Sequence, residues 1–292
     1  MVRMLPKTHN LLLRDPDKII RPKLEFLATL GLRPAAVART NLLKHSLQKH
    51  IVPCVQFLRG ILRTDASIRA AVSHNPNALE VDLEKNGRLV VEALRRRGLS
   101  EEDISRLVVI RIGVLRVAPN RIAGIFEDLE LLGLTVTHRR FVRAFATMCN
   151  LKRETAWHRL SLYESFGLSK SQVVKAFITQ PCILTLTDEN IQRKILFFQD
   201  ELKIALSEVI ARPNTLTLSM DKNILPKCSV LSVLMRSGKI RRDISLLVPL
   251  GLSNKVFSER YVKMFEKDVP DVVMAYEGKI EFRGFIDQDT EA

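Results

Sequence analysis

The sequence lacks any long apolar run. Its apolar stretches, such as residues 246–248 and 195–198, are far shorter than the roughly 18 residues that a membrane-spanning helix needs. We therefore predict no membrane association. Hydrophobic residues nevertheless make up 46% of the 292 residues, which is enough apolar material for a continuous core.

Cysteine is scarce, with four residues that lie far apart at Cys54, Cys149, Cys182 and Cys228. They form no CxxC pair and have no histidine at zinc-finger spacing, so neither a metal site nor a disulfide framework is predicted. We expect free, mostly buried thiols in a reducing compartment.

Signatures of catalysis are missing as well. The chain has no phosphate-binding glycine loop, no HExxH and no GxSxG. Its histidines are scattered, and the acidic residues 101–103 stand at a predicted helix start, where the helix dipole favours negative charge. We predict that the protein is not an enzyme and needs no cofactor.

The two ends of the chain carry no recognisable signal. The opening MVRMLPKTHN has neither the apolar core of a signal peptide nor the length of an organelle presequence. We expect either that residues 1–8 are the remnant of a longer N-terminal region, or that the protein stays where it is made. Residues 279–292 turn acidic and are predicted to form a loose tail.

Positive charge is abundant and is spread along the chain. Lysine and arginine number 46 against 32 acidic residues, which gives a net charge of +14. Such an excess favours a polyanionic partner, and nucleic acid is the natural candidate. The alternative is a generally basic surface with no specific ligand.

The sequence repeats itself along almost its whole length. Similar tetrapeptides recur every 31 to 36 residues, which lies within the range of helical repeat proteins. They begin at His9, Thr40, Pro76, Arg111, Phe145, Pro181 and Pro213, and an eighth begins at Pro249. Thirteen residues after each of the first seven stands a second recurring position, at Pro22, Pro53, Leu89, Gly124, His158, Lys194 and Pro226.

Each repeat has the pattern of two helices joined by a glycine turn. Apolar residues spaced by three and four follow the second recurring position, as in Ile122, Ile125, Phe126, Leu129 and Leu132. The stretch then ends at Gly-Leu in four repeats, at Gly31, Gly98, Gly133 and Gly167, where glycine can close a helix in the left-handed conformation. Ser169 with Gln172 matches a capping box at the next helix start.

We therefore predict an all-α fold, an α-solenoid of about eight helix-pair repeats, of either hand. Stacked repeats would bury a shared core that no single repeat can form. Pro22, Pro53 and Pro226 are predicted to lie within long helices and to kink them. An irregular helical bundle with coincidental spacing is the alternative.

The repeat resembles that of the mitochondrial transcription termination factor family, known as mTERF. The segment from Ile20 to Leu27 followed by Leu30-Gly31-Leu32 is similar to that family's unit, and so are the Pro-x-x-Leu openings at Pro76, Pro181 and Pro213. The close, from Leu252 through Tyr276-Glu277-Gly278, is similar to its terminal unit. The resemblance covers residues 9–278 and is weakest in the fourth and fifth repeats.

The resemblance implies repeats of two α-helices and a short 3₁₀ turn that form a curved half-ring. It also implies a basic groove that binds duplex DNA, a role in organelle transcription, and a location in the mitochondrion or chloroplast. Some similar plant proteins act on organelle RNA instead, including intron splicing. Duplex DNA is thus the favoured partner, organelle RNA is possible, and a protein-binding scaffold is a further alternative. We favour a monomer.

Basic residues near the second recurring position are the predicted nucleic-acid contacts. A solenoid can repeat a cation once per unit, and each cation can neutralise one phosphate. The candidates are Arg21, Lys23, Lys49, Arg88, Arg121, Arg159, Arg193, Lys194, Lys222 and Lys227. For any one of them a solvated surface position is an equally good explanation. Trp157 and Tyr163 are weaker candidates for stacking on bases, against the alternative of core packing.

Overall fold

The structure is a computed structural model that describes residues 16–285, and within them it contains helices and no strand. The chain divides into two compact units, one ending at Lys152 and the other beginning at Arg153. The first recurring tetrapeptide at His9, the remnant predicted over residues 1–8, and residues 286–292 of the predicted tail lie outside the described residues.

The first unit contains four helix pairs. In each pair the first helix is followed by a turn and a second helix, and short 3₁₀ turns at Leu42–Lys44, Pro76–Glu80 and Ile112–Arg116 connect successive pairs. The helices are α1 (Arg21–Thr29), α2 (Pro34–Val37), α3 (Val52–Leu62), α4 (Asp65–His74), α5 (Leu83–Arg96), α6 (Glu101–Ile110), α7 (Pro119–Leu131) and α8 (Phe141–Met148).

The second unit continues with eight further helices, in the same order at first and with shorter helices at its end. Its 3₁₀ turns lie at Pro181–Thr185 and Thr215–Thr217. The helices are α9 (Arg153–Ser165), α10 (Lys170–Thr179), α11 (Asp188–Leu196), α12 (Leu206–Ala211), α13 (Leu225–Arg236), α14 (Leu247–Leu250), α15 (Asn254–Phe257) and α16 (Asp271–Tyr276). The predicted helical repeat fold is therefore confirmed.

The Gly-Leu pairs end the first helices of their repeats, as predicted. Gly133 has a φ of 76°, which places it in the left-handed region, and the amide of Leu134 donates to the Leu129 carbonyl at 2.8 Å. Gly31, Gly98 and Gly167 also have positive φ. The leucine after the glycine is buried in all four turns, where it packs back on the helix end.

All three predicted helical prolines follow one turn of π-helix. These turns are Pro16–Ile20, Leu47–Ile51 and Met220–Ile224, and each runs directly into an α-helix whose second residue is Pro22, Pro53 or Pro226. Proline cannot donate to the carbonyl one turn before it, and its ring crowds that carbonyl. A wider turn at this place accommodates both effects.

Two features differ from the sequence prediction. The fifth and eighth recurring tetrapeptides do not open a 3₁₀ turn, since Phe145 lies inside α8 and Pro249 lies inside α14. The start of the predicted loose tail is packed, since the Phe282 ring lies 5.9 Å from the Phe197 ring and Ser232 donates to the Gly284 carbonyl at 2.9 Å.

Candidate nucleic-acid interface

Three of the predicted contact residues are buried. Lys23, Lys194 and Lys227 are only 4%, 2% and 1% exposed. Each ammonium group donates to a backbone carbonyl near the start of the following repeat: Lys23 to Leu43 at 2.8 Å, Lys194 to Leu216 at 2.6 Å, and Lys227 to Leu250 at 3.1 Å. Burial lowers the pKa of Lys194 and of Lys227, because it removes water from the charge.

The same link occurs in three further repeats with different side chains. His50 bonds through Nε2 to the Leu79 carbonyl at 2.9 Å. Arg121 donates to the Leu151 carbonyl at 3.1 Å, and Arg159 donates to the Leu184 carbonyl at 2.6 Å. Five of the acceptors lie in or just after the turn that follows the donor's helix pair, whereas Leu250 is the last residue of α14. We call these six donor–carbonyl contacts the repeat ties.

The repeat ties change the role of half of the predicted contacts. Carbonyls at the end of a helical turn carry partial negative charge, so a cation beside them is stabilising. Lys23, Lys194 and Lys227 satisfy these carbonyls and do not reach a ligand on the surface. Arg121 and Arg159 do so in part, since each also lies within 3.5 Å of a carboxylate, Asp128 and Asp188 respectively.

Three predicted arginines are exposed and ion-paired. Arg21 lies 2.6 Å from Asp17, Arg193 lies 2.8 Å from Asp221, and Arg88 pairs with Glu84 one turn earlier in α5. Exposed ion pairs contribute only about 0–1 kcal/mol. These arginines can therefore exchange their carboxylate for another anion at little cost.

The remaining two predicted lysines occupy equivalent places in their repeats. Lys49 and Lys222 stand three residues after the helix-capping Ser46 and Ser219, whose hydroxyls accept from the lysine amides. Both side chains are exposed and make no ion pair with any described residue.

Sequence reasoning missed a third lysine at this place. In α5 the amide of Lys85 donates to the carboxylate of Asp82, which caps the helix start, and the Lys85 side chain is exposed. The sequence pattern could have identified it, since a helix-capping residue precedes each of the three lysines by three positions. We call Lys49, Lys85 and Lys222 the cap lysines.

The stacking candidates differ in exposure. Tyr163 is fully buried, its hydroxyl donates to the Ile183 carbonyl at 3.2 Å, and burial raises its pKa. It is a core residue. Trp157 in α9 is half-buried.

Comparison with known proteins gives the family. The mTERF family model matches residues 38–258, well over half of the chain. The chain belongs to the mTERF family. It is similar to a mitochondrial transcription termination factor of Arabidopsis thaliana (MTERF15), with 22% identity over 215 residues, 71% of this chain. It spans 46% of the length of that relative.

Contacts extend beyond the part matched by the mTERF model. Helix α1 precedes the matched region, yet its Lys23 forms a repeat tie to Leu43 inside it. Helix α16 follows the matched region, and its Tyr276 ring stacks on Phe257 with centroids 5.9 Å apart. These contacts join α1 and α16 to the matched region, while the limits of the predicted mTERF-like domain, residues 9–278, stay a prediction.

Within the described residues, neither a membrane-spanning helix nor a metal-binding group is found. None of the described helices is both long and apolar enough to cross a membrane. Residues 16–285 contain no group of His, Cys, Asp and Glu side chains that could hold a metal ion. The four cysteines are free thiols, and burial raises the pKa of Cys54, Cys149 and Cys228.

Proposed function

We propose that this mTERF protein binds nucleic acid through its phosphates, favours duplex DNA, and regulates transcription in a mitochondrion or chloroplast. The observation that carries the proposal is the recurrence of the cap lysines, which place an exposed ammonium group at one position of three repeats. Cations that recur at one position of the repeat can each neutralise one phosphate and release its counterion.

The net charge of +14 supports the same proposal. Three of the positive charges belong to the buried Lys23, Lys194 and Lys227 and therefore do not add to the basic surface. The exposed Arg21, Arg88 and Arg193 add cations whose present partners are weakly held.

The family and its Arabidopsis relative support the role in transcription. The relative is named a mitochondrial transcription termination factor, and a protein bound across a template can block a polymerase. Phosphate contacts would give affinity and register, while a few arginines would read base edges.

Binding to matched nucleic acids at several salt concentrations tests the proposal. We expect tight binding to a duplex, with an affinity that falls by about 0.9 log units per contacted phosphate for each tenfold rise in salt. Replacing all three cap lysines with glutamine should reduce this slope by roughly two to three. Replacing Lys175, an exposed lysine of the short helix α10, is the single-charge control.

Three results would contradict the proposal in different ways. Tighter binding to structured RNA than to duplex DNA at matched salt would indicate a role in RNA processing instead. Weak binding with little salt dependence would favour a protein-binding scaffold. An unchanged slope in the cap-lysine variant would place the interface elsewhere on the molecule.

A further inference from the structure

Arg111 has a buried donor with no partner. Of the buried side-chain nitrogen and oxygen atoms in the described residues, the Arg111 Nε alone lacks a hydrogen-bond partner. Its guanidinium has no ion pair to any described carboxylate, and burial lowers its pKa. Arginine stays protonated at neutral pH even so, which leaves a half-buried positive charge without a counter-charge.

The backbone position of Arg111 is a recurring junction. It joins α6 to the 3₁₀ turn Ile112–Arg116, with φ −150° and ψ 82°. Asn75 and Gln180 join the corresponding elements in other repeats, with φ −148°, ψ 82° and φ −140°, ψ 85°. Arg111 is thus equivalent to these polar residues, whereas the sequence alignment had placed it at the opening proline.

A side chain at this junction can form a hydrogen bond to the next 3₁₀ turn. Gln180 donates to Thr217, in the next 3₁₀ turn, at 3.4 Å. Arg111 has no such acceptor, because α8 occupies the place where that turn would begin. Its neighbour is Cys149, and burial raises the pKa of this thiol to about 12, so it carries no negative charge at neutral pH.

Arg111 is half-buried, and its terminal nitrogens are not among the buried atoms. Gly113 lies beside it, and a Cβ added there would be 3.9 Å from Cζ and from Nη2. The nearby Arg121 is also positive, but Asp128 balances its charge, so Arg111 is the charge that lacks a partner here. A planar guanidinium with free donors in a positive, half-buried place is suited to an oxyanion that can accept two parallel hydrogen bonds.

We propose that Arg111 binds a backbone phosphate of the nucleic acid, as a subsite of the fourth repeat. This inference rests on the proposed function and assigns one phosphate to one residue. The phosphate would accept from the two terminal nitrogens, since Nε itself is buried, and would supply the counter-charge that the protein does not provide.

Arg111→Gln and Arg116→Gln form the matched pair for the test. Arg111 directly precedes the 3₁₀ turn that Arg116 ends, both changes remove one positive charge, and Arg116 is exposed. We expect Arg111→Gln to weaken duplex binding about tenfold and to lower the log–log salt slope by about one. Arg116→Gln should change both quantities much less. Arg111→Lys should keep the slope and lose part of the affinity, since it retains charge without the fork.

A second measurement reports on the subsite directly. In side-chain NMR spectra of nitrogen-15-labelled protein, the Nε–H signal that Arg111→Gln removes should shift when duplex is added. It should shift in the same direction with inorganic phosphate at low salt.

Failure of this inference is distinct from failure of the proposed function. If the affinity of the unchanged protein for duplex falls steeply as salt rises while Arg111→Gln behaves like Arg116→Gln, the subsite is wrong and the proposed function stands. An Nε–H signal that does not move at saturating duplex also overturns the subsite. If the unchanged protein shows no salt-dependent binding, the proposed function itself fails. Thermal melts of each variant establish that it is folded.

Discussion

The ammonium group of Lys194 donates to the carbonyl oxygen of Leu216, 2.6 Å away in the turn after the next short helix. Its neighbour in sequence, Arg193, is exposed and pairs with Asp221. Two adjacent cations on one helix therefore have different roles, one structural and one available to a ligand.

Lys194→Met tests the structural role. The substitution leaves the Leu216 carbonyl buried without its donor, which should lower the free energy of unfolding by about 1–3 kcal/mol. Urea denaturation measures this change. The same variant should keep the salt dependence of nucleic-acid binding.

Lys222→Met provides the control for a cation on the surface. Its side chain is exposed, so the free energy of unfolding should change by no more than about 0.5 kcal/mol. Nucleic-acid binding should lose about one unit of log–log salt slope. Equal destabilisation by the two methionine variants would show that burial does not separate their roles.

Two helical glycines should respond to alanine in opposite directions. A Cβ on Gly87 in α5 would lie 2.6 Å from Cε1 of Phe57 in α3, so Gly87→Ala should cost about 1–3 kcal/mol through overpacking. A Cβ on Gly60 in α3 would meet nothing within 4 Å. Gly60→Ala should therefore stabilise the helix by about 0.5–1 kcal/mol. Thermal denaturation of both variants checks the two signs.

Two helix ends use a left-handed residue other than glycine. Arg63 follows α3 with φ 61°, and Lys203 stands near the end of the π-helical turn Phe197–Glu201 with φ 54°. Arg63→Gly and Lys203→Gly should each stabilise the protein by about 0.5–1 kcal/mol, because glycine adopts this conformation without strain. Gly133→Ala, at φ 76°, should destabilise it by a similar amount. A loss of stability in both glycine variants would contradict this account.

Acidification should weaken the protein through His45. Burial and the neighbouring His50, whose ring stacks on it at 4.3 Å, lower the pKa of His45 below 6.5. The unfolded chain then binds a proton at a higher pH than the folded protein, so stability falls as pH drops from about 6.5 through the folded pKa. Urea midpoints at pH 7 and pH 5 should differ less in His45→Gln than in the unchanged protein. The exposed His138→Gln should keep the full difference.

Local rules predicted much of the fold. Gly31, Gly98, Gly133 and Gly167 marked helix ends correctly, because glycine is the residue that adopts the left-handed conformation freely. Arg63 carries no such mark, because a residue with a Cβ seldom adopts that conformation.

Which of the predicted contact residues are exposed and which are buried was harder to predict. Neighbouring residues on a helix point about 100° apart, and one π-helical turn adds a residue and rotates everything after it. Sequence spacing therefore selected Arg193 and Lys194 together, while the structure exposes one and buries the other. The missing partner of Arg111 depends on α8 replacing a 3₁₀ turn, which the composition of that segment does not show.

All six repeat ties have the same polarity, with the donor earlier in the chain than the acceptor. Shortening the protein from its two ends is therefore not equivalent. Removing repeats from the front frees carbonyl oxygens that water can solvate, whereas removing the last repeat takes the acceptors of Lys227 away and leaves its charge in an apolar environment. Any shortened version that keeps Lys227 must also keep Leu250 and Leu252.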